Sequence, residues 1–228
     1  MGEDIKGIVL KDGETVVGKV VGLENMDKVT LPFKSQRVVN KGLKPIHEIF
    51  YEHELVLRAC KDICPKVKEL ADMISYRIGL GNKVIILGNG GSAADAQHFA
   101  GELIGKFFIA NRPPIEAIAL NCNSTIITAL ANDFSGNDIF ARQVIAHTRA
   151  EDVVIGLSTS GTSINIVAGL TCAKKCGGTT VMISGDNADR AGADLNIDIP
   201  SRSTPRIQEM TILILHIISE LVEKELYK

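Results

Sequence analysis

Five short apolar runs, separated by stretches of helical periodicity, constrain the fold of this chain more than any other feature. Residues 83–87 (KVIIL), 115–120, 152–157, 179–183 and 195–199 each read as a strand of a parallel sheet, buried on both faces. Around them the apolar residues recur at helical spacing. Over 46–80 the set is Ile49, Phe50, Leu55, Val56, Ile63, Val67, Leu70 and Ile74, with Pro65 dividing it into two helices. Further helices are predicted from about Ala93, over 125–131, over 163–176, and from Thr204 to about Glu225. Strands alternating with helices make an α/β fold: a doubly wound, mainly parallel five-stranded sheet flanked by helices, flavodoxin-like. Such sheets bind ligands beyond the carboxyl ends of the strands, where loops lead into helix N-termini.

Residues 1–42 differ in character from the domain expected over 43–228. Within them, 5–10 and 15–21 read as two strands around Asp12-Gly13, and 28–30 and 37–39 as further short strands. A segment this short cannot build its own core. It packs on the main domain, pairs with another subunit, or belongs to a larger polypeptide.

Composition narrows the function classes. The formal net charge of -2 offers no overall attraction for nucleic acid or an anionic membrane surface. No stretch approaches the roughly 18 consecutive apolar residues that cross a bilayer. The start, Met1-Gly2-Glu3-Asp4, lacks the basic and apolar regions of a secretory signal. Aromatic residues make up 4% with no Trp, so the core rests on Ile, Leu, Val and Ala. Five cysteines, an odd number in a long chain, point to a reducing cytoplasm. Cys60/Cys64 and Cys172/Cys176 each have a spacing that puts two thiols on one helix face. Neither has a second Cys or His pair beside it, so both are read as packed small residues rather than metal ligands.

Four segments carry chemistry. The first strand ends in Gly88-Asn89-Gly90-Gly91-Ser92, where glycines let the backbone approach a ligand and a helix N-terminus presents free N–H groups. The pattern is neither G-x-G-x-x-G nor a P-loop, so no nucleotide cofactor is expected. The third strand ends in Ser158-Thr159-Ser160-Gly161-Thr162-Ser163. One helix cap needs one hydroxyl, and five at a helix N-terminus suit a phosphate. His98 and Glu102, at i and i+4, share one face of the helix after the glycine loop, a pairing suited to proton transfer or to a divalent ion. The last helix opens with Thr204 as N-cap and Pro205 at N1, and carries His216 within an apolar run.

Taken in order, GNGGSAADAQHFAGEL, ANDFSGNDIFARQV, GLSTSGTS and TPRIQEM followed by His216 resemble the phosphoheptose isomerase family, whose fold is the sugar-isomerase (SIS) domain. The likeness runs from about Leu43 to the C-terminus, leaving the first 42 residues outside it. It implies an enzyme that interconverts sedoheptulose 7-phosphate and D-glycero-D-manno-heptose 7-phosphate, in heptose precursor synthesis for lipopolysaccharide, capsule or another glycan. By position it implies that Asn89, Gly90, Gly91, Ser92, Ser158, Thr159, Ser160 and Ser163 bind the sugar phosphate, and that Asn132 and Asp133 contact substrate. Glu102 matches the catalytic carboxylate and His216 its acid/base partner. His98, Glu102, Gln208 and His216 match the zinc ligands of some members, with Glu102 and Gln208 also in reach of substrate. Lys106 stands where many relatives have Arg, Thr162 replaces a common Asn, and Gly101 a common Ala or Glu.

An aldose–ketose isomerase moves a proton between C1 and C2 through an enediol, needing one base, one acid and a phosphate anchor. Glu102, His216 and the serine loop meet that need, and which of the first two takes the carbon-bound proton stays open. A divalent ion would stabilise the enediolate. Gln208 and His216 lie eight residues apart, about 12 Å along a helix. That separation predicts active sites shared between subunits, with the last helix contributing across an interface. The aliphatic faces of 46–80 and 212–226 are the expected assembly surfaces, and the family resemblance implies a homotetramer. Three rivals are a non-catalytic SIS protein that associates with a replication initiator, an SIS isomerase of another sugar phosphate, and a sugar-phosphate sensor, for which the sequence offers no DNA-binding helix-turn-helix. The presence of both Glu102 and His216 favours an enzyme over the first.

Overall fold

In a computed structural model the runs at 84–88 and 153–158 are buried throughout between helical layers, and those at 117–119 and 195–199 alternate between buried and half-buried residues. The structure describes residues 6–11, 14–19, 44–186 and 192–227, with side chains from 44 onward. The chain forms two compact units, 1–45 and 46–228. In the first, β1 (Lys6–Lys11) pairs antiparallel with β2 (Glu14–Lys19), in line with the two strands expected there. The short strands expected at 28–30 and 37–39 lie outside the described residues.

The second unit holds a five-stranded sheet of β3 (Val84–Gly88), β4 (Ala117–Ala119), β5 (Val153–Ser158), β6 (Thr179–Gly185) and β7 (Leu195–Ile199). Its order is β4-β3-β5-β6-β7 and every pairing is parallel. The chain leaves β3 to one side for β4 and returns to the other for β5. The strand order therefore reverses between β3 and β5, the place where doubly wound sheets open a crevice. The glycine and serine loops are the two loops that end these strands.

Around the sheet lie α1 (Ile46–Ala59), a 3-10 turn (Cys60–Ile63), α2 (Cys64–Gly79), α3 (Gly91–Ile104), α4 (Ser124–Asp133), α5 (Ala141–His147), α6 (Ile164–Lys175) and α7 (Thr204–Leu226). Pro65 sits in the first turn of α2, so the break expected there is real. Alternation along β3 divides the core in two. Val84 and Ile86 face Leu70, Ile74, Phe99, Leu103, Leu215 and Ile218 of α2, α3 and α7. Ile85 and Leu87 face Phe140, Val144, Ile166 and Leu170, before and along α5 and α6. Each such aliphatic side chain, taken fully out of water, contributes about 1.5–3 kcal/mol. Gly156 lets α6 lie close on β5, since a Cβ there would come within 2.8 Å of Ile166.

Three details differ from expectation. Helix α5 was not predicted, because Ala141 and Val144 give only one apolar step at helical spacing. The N-cap of α7 is Ser203 rather than Thr204, whose backbone is already helical. Strand β4 spans three residues, since only Ala117–Ala119 pair with β3. Among the described residues no helix is long and apolar enough to cross a membrane.

Candidate active site

The backbone of the glycine loop is shaped by what surrounds it. Gly90 caps α3 at φ 55°, ψ -121°, a conformation that favours glycine. A Cβ on Gly91 would come within 2.5 Å of the Gln208 Nε2 from α7, and one on Gly88 within 2.5 Å of the Ser92 carbonyl. Asn89 is held by Asn165, the two amides exchanging hydrogen bonds of 2.9 and 3.0 Å. Asn121, after β4, donates to the Gly88 carbonyl while its own Oδ1 stays buried without a partner. No side chain caps α3, so its first N–H groups and positive dipole end face the crevice.

The serine loop repeats this at β5. Ser158 is buried, and its Oγ shares hydrogen bonds with Ser163 at 2.9 Å and Ser160 at 3.4 Å. Thr162 donates to Ser160 through both its amide and its hydroxyl. Ser163 is the N-cap of α6, yet its side chain makes no capping bond. The hydroxyls are thus turned on one another around a helix N-terminus, an arrangement that can open onto an anion.

Between α3 and α7 stands the charged cluster. The His98 Nε2 lies 3.0 Å from the Glu102 Oε1 and 3.2 Å from the His216 Nε2. The side chain of His98 is 47% exposed and that of Glu102 24%, so a solvent-borne ligand can reach them. The two helices run side by side in the same direction: Gln208 meets Gly91, and two turns on His216 meets His98. That packing corrects the expectation that α7 reaches the cluster only across an interface. The eight-residue separation is matched along α3, so His216 joins His98 and Glu102 within one chain. Gln208 meets the glycine loop, with no hydrogen bond to the cluster.

Asn132 and Asp133 close α4 and bond to one another at 2.8 Å, exposed to solvent. Residues that pattern alone did not single out also shape the site: Asn121, Asn165, Asp95 and Phe107. Asp95 stands one turn before His98, with Oδ2 buried and unpartnered. Burial pushes its carboxyl above the ordinary value, and the His98 charge opposes the shift. The Phe107 ring lies 5.7 Å from that of His216, centroid to centroid. Only position would have marked two of them, Asn121 just past β4 and Asn165 in the first turn of α6 after the serine loop.

One ligand atom from each of His98, Glu102 and His216 lies within 4.8 Å of the other two. Two imidazoles and a carboxylate at that spacing are a donor set that zinc takes in catalytic sites, so these residues fit such an ion.

Residues 52–185 match the SIS domain family. The chain is 44% identical over 168 residues to a phosphoheptose isomerase of Geobacter sp. (strain M21), an alignment covering 73% of this chain and 87% of that protein. It is 42% identical over 194 residues to one from Trichlorobacter lovleyi, covering 84% and 95%. Its structure is similar to that of a phosphoheptose isomerase from Francisella tularensis, with a TM-score of 0.75 and 28% identity over 78% of this chain and 96% of that one. An SIS sheet with its loops at the switch point, and this likeness across nearly the whole of these relatives, place the chain in the phosphoheptose isomerase family, and it is an isomerase.

Proposed function

We propose that the protein interconverts sedoheptulose 7-phosphate and D-glycero-D-manno-heptose 7-phosphate in the cytoplasm. The observation that carries this reading is the meeting of His98, Glu102 and His216 in one chain, at the helix that leads away from the glycine loop. The phosphate is held by Ser158, Thr159, Ser160 and Ser163 at the uncapped N-terminus of α6. Asn89, Gly90, Gly91, Ser92, Asn132, Asp133 and Gln208 hold the sugar. Glu102 and His216 divide the proton transfers. One removes a proton from C1 of the ketose while the carbonyl oxygen O2 takes one up, giving an enediol; a proton returned to C2 with loss of the O1 proton then gives the aldose.

His98, Glu102 and His216 would hold a zinc ion on this reading, while Gln208, expected from the resemblance as a fourth ligand, lies two turns back along α7 against Gly91 and is left to the sugar. Such an ion, when bound, neutralises negative charge developing on the enediol oxygens. The active form is a homotetramer. Supporting this, α1 buries none of its residues and exposes Ile46 and Phe50 by 74% and 71%. Beside it a groove of about 520 Å³ runs between α2 and α7, lined by Leu57, Val67, Leu213 and Ile217.

An isomerase assay on sedoheptulose 7-phosphate tests the proposal, with Glu102→Gln and His216→Gln alongside. Wild type turns over, and each variant loses about 10²–10⁴ in kcat at unchanged oligomer size. No turnover by the folded oligomer, with or without added zinc, moves the protein to another sugar phosphate or to a binding role.

A further inference from the structure

A buried ion pair lies behind the charged cluster without touching it. Arg112 and Glu223 bond at 2.6 Å, Nε to Oε1, and each side chain is only 1% exposed. Glu223 sits on α7 seven residues after His216, two turns along the same face. Its carboxylate also accepts three backbone bonds: Phe107 N–H at 3.0 Å, Phe108 N–H at 2.6 Å and Ile109 N–H at 2.9 Å. One side chain of α7 thus gathers the whole turn that follows α3.

Arg112 completes the link. Its Nη2 donates to the backbone carbonyl of Glu102 at 2.6 Å, and its Nη1 to the Pro113 carbonyl at 2.9 Å. The Glu102 carbonyl lies in the last turn of α3, where carbonyls lack helical partners. On the other side, the turn pinned by Glu223 sets Phe107 against the His216 ring. Burial alone raises the Glu223 carboxyl, but Arg112 and the three N–H groups outweigh it and hold it at about 2. The pair therefore stays charged at any pH where a sugar-phosphate enzyme works.

A pair buried this deeply is a poor device for stability, because two well-packed apolar side chains would serve as well or better. Its connections suggest another use. We propose that Arg112 and Glu223 are positioning residues that set the distance between Glu102 and His216, through the α3 backbone and the Phe107 ring. The inference rests on the reading of Glu102 and His216 as the acid/base pair.

The test uses the full chain with Glu223→Gln, Arg112→Lys and, as control, Asp152→Asn, which breaks the buried Lys83–Asp152 pair between β3 and β5, away from α7. Arg112→Lys keeps the charge but cannot bridge Glu223 and the Glu102 carbonyl together, and serves where Glu223→Gln folds poorly. Turnover of sedoheptulose 7-phosphate and melting temperature are measured for each, with ¹H–¹³C spectra of the His216 ring. Misplacing acid and base by about 1 Å lowers kcat about 100-fold in Glu223→Gln. KM stays within about threefold, because ground-state binding is untouched. Arg112→Lys loses less, the His216 ring resonances shift in both, and Asp152→Asn lowers the melting temperature while keeping kcat and the ring resonances.

The proposal is overturned if both site-side variants keep kcat within about threefold of wild type, or if Asp152→Asn loses as much kcat as they do. Unmoved His216 resonances overturn it as well. Should wild type not turn over this substrate, the functional reading fails, and the ring resonances alone decide whether the pair sets the geometry.

Discussion

At the amino end of the sheet, between β3 and β5, the Asp152 carboxylate accepts from the Lys83 amide at 3.0 Å, the Lys83 Nζ at 2.6 Å and the Arg149 amide at 2.7 Å. At the carboxyl end of the same two strands the polar side chains are neutral and bond to one another, Asn89 with Asn165 and Ser158 with Ser163. The Asn121 Oδ1 is buried without a hydrogen bond, and α3 and α6 both begin without a side-chain cap. Helix α4, which starts beside them, is capped in the ordinary way, Asn123 accepting from the Ile126 N–H at 3.1 Å. Buried polar groups are as a rule paired, and helix starts as a rule capped. Helices α2, α5 and α7 also begin without a side-chain capping bond, so the open starts of α3 and α6 differ from them in place, at the ends of β3 and β5, rather than in kind. The contrast is between a charged group paired within the fold and neutral groups at the crevice that the proposed function assigns to the ligand.

Three variants break or sharpen that contrast. The largest effect is expected for Asp152→Asn, which leaves Lys83 facing a neutral amide: about 3–5 kcal/mol of stability is lost. The folded fraction should keep its kcat and KM, which denaturant unfolding and steady-state kinetics measure side by side. Ser163→Ala should do the reverse. Its hydroxyl caps nothing but bonds to the buried Ser158, so about 0.5–1.5 kcal/mol of stability is lost. Losing a hydrogen bond to a charged phosphate weakens substrate by about 1.5–3 kcal/mol, read as a rise in KM. A melting temperature that drops as far as in Asp152→Asn would mean that the serine loop is structural. The smallest effect is expected for Asn123→Ala, at about 1 kcal/mol of stability and none of activity. Comparable losses of activity there would show that the capped and uncapped helix starts do not differ in role.

The catalytic and structural halves of the molecule also differ in how far they could be read in advance. Sheet and helices were legible because burial on both faces of a parallel strand imposes a continuous apolar run, as at 84–87. The glycine loop was legible because Gly90 and Gly91 meet backbone and packing demands that other residues fail. His98 and Glu102 were legible as a pair through the i, i+4 geometry of one helix, which places them 3.0 Å apart. The short helix α5 escaped notice for the opposite reason, having too few turns to show a period.

Local pattern by itself therefore determined the fold class, the strand ends where the glycine and serine loops sit and one His–Glu pair on one helix. Only the tertiary structure decided that His216 completes that pair within the same chain, 118 residues from His98 in sequence. It alone brought Asn165 to Asn89 and Glu223 to Arg112. The physical reason is that periodicity reports which face of an element is apolar, whereas the register of α7 along α3 depends on how side chains from distant segments interlock. That register follows from packing through Phe99, Leu103, Ile214 and Ile218.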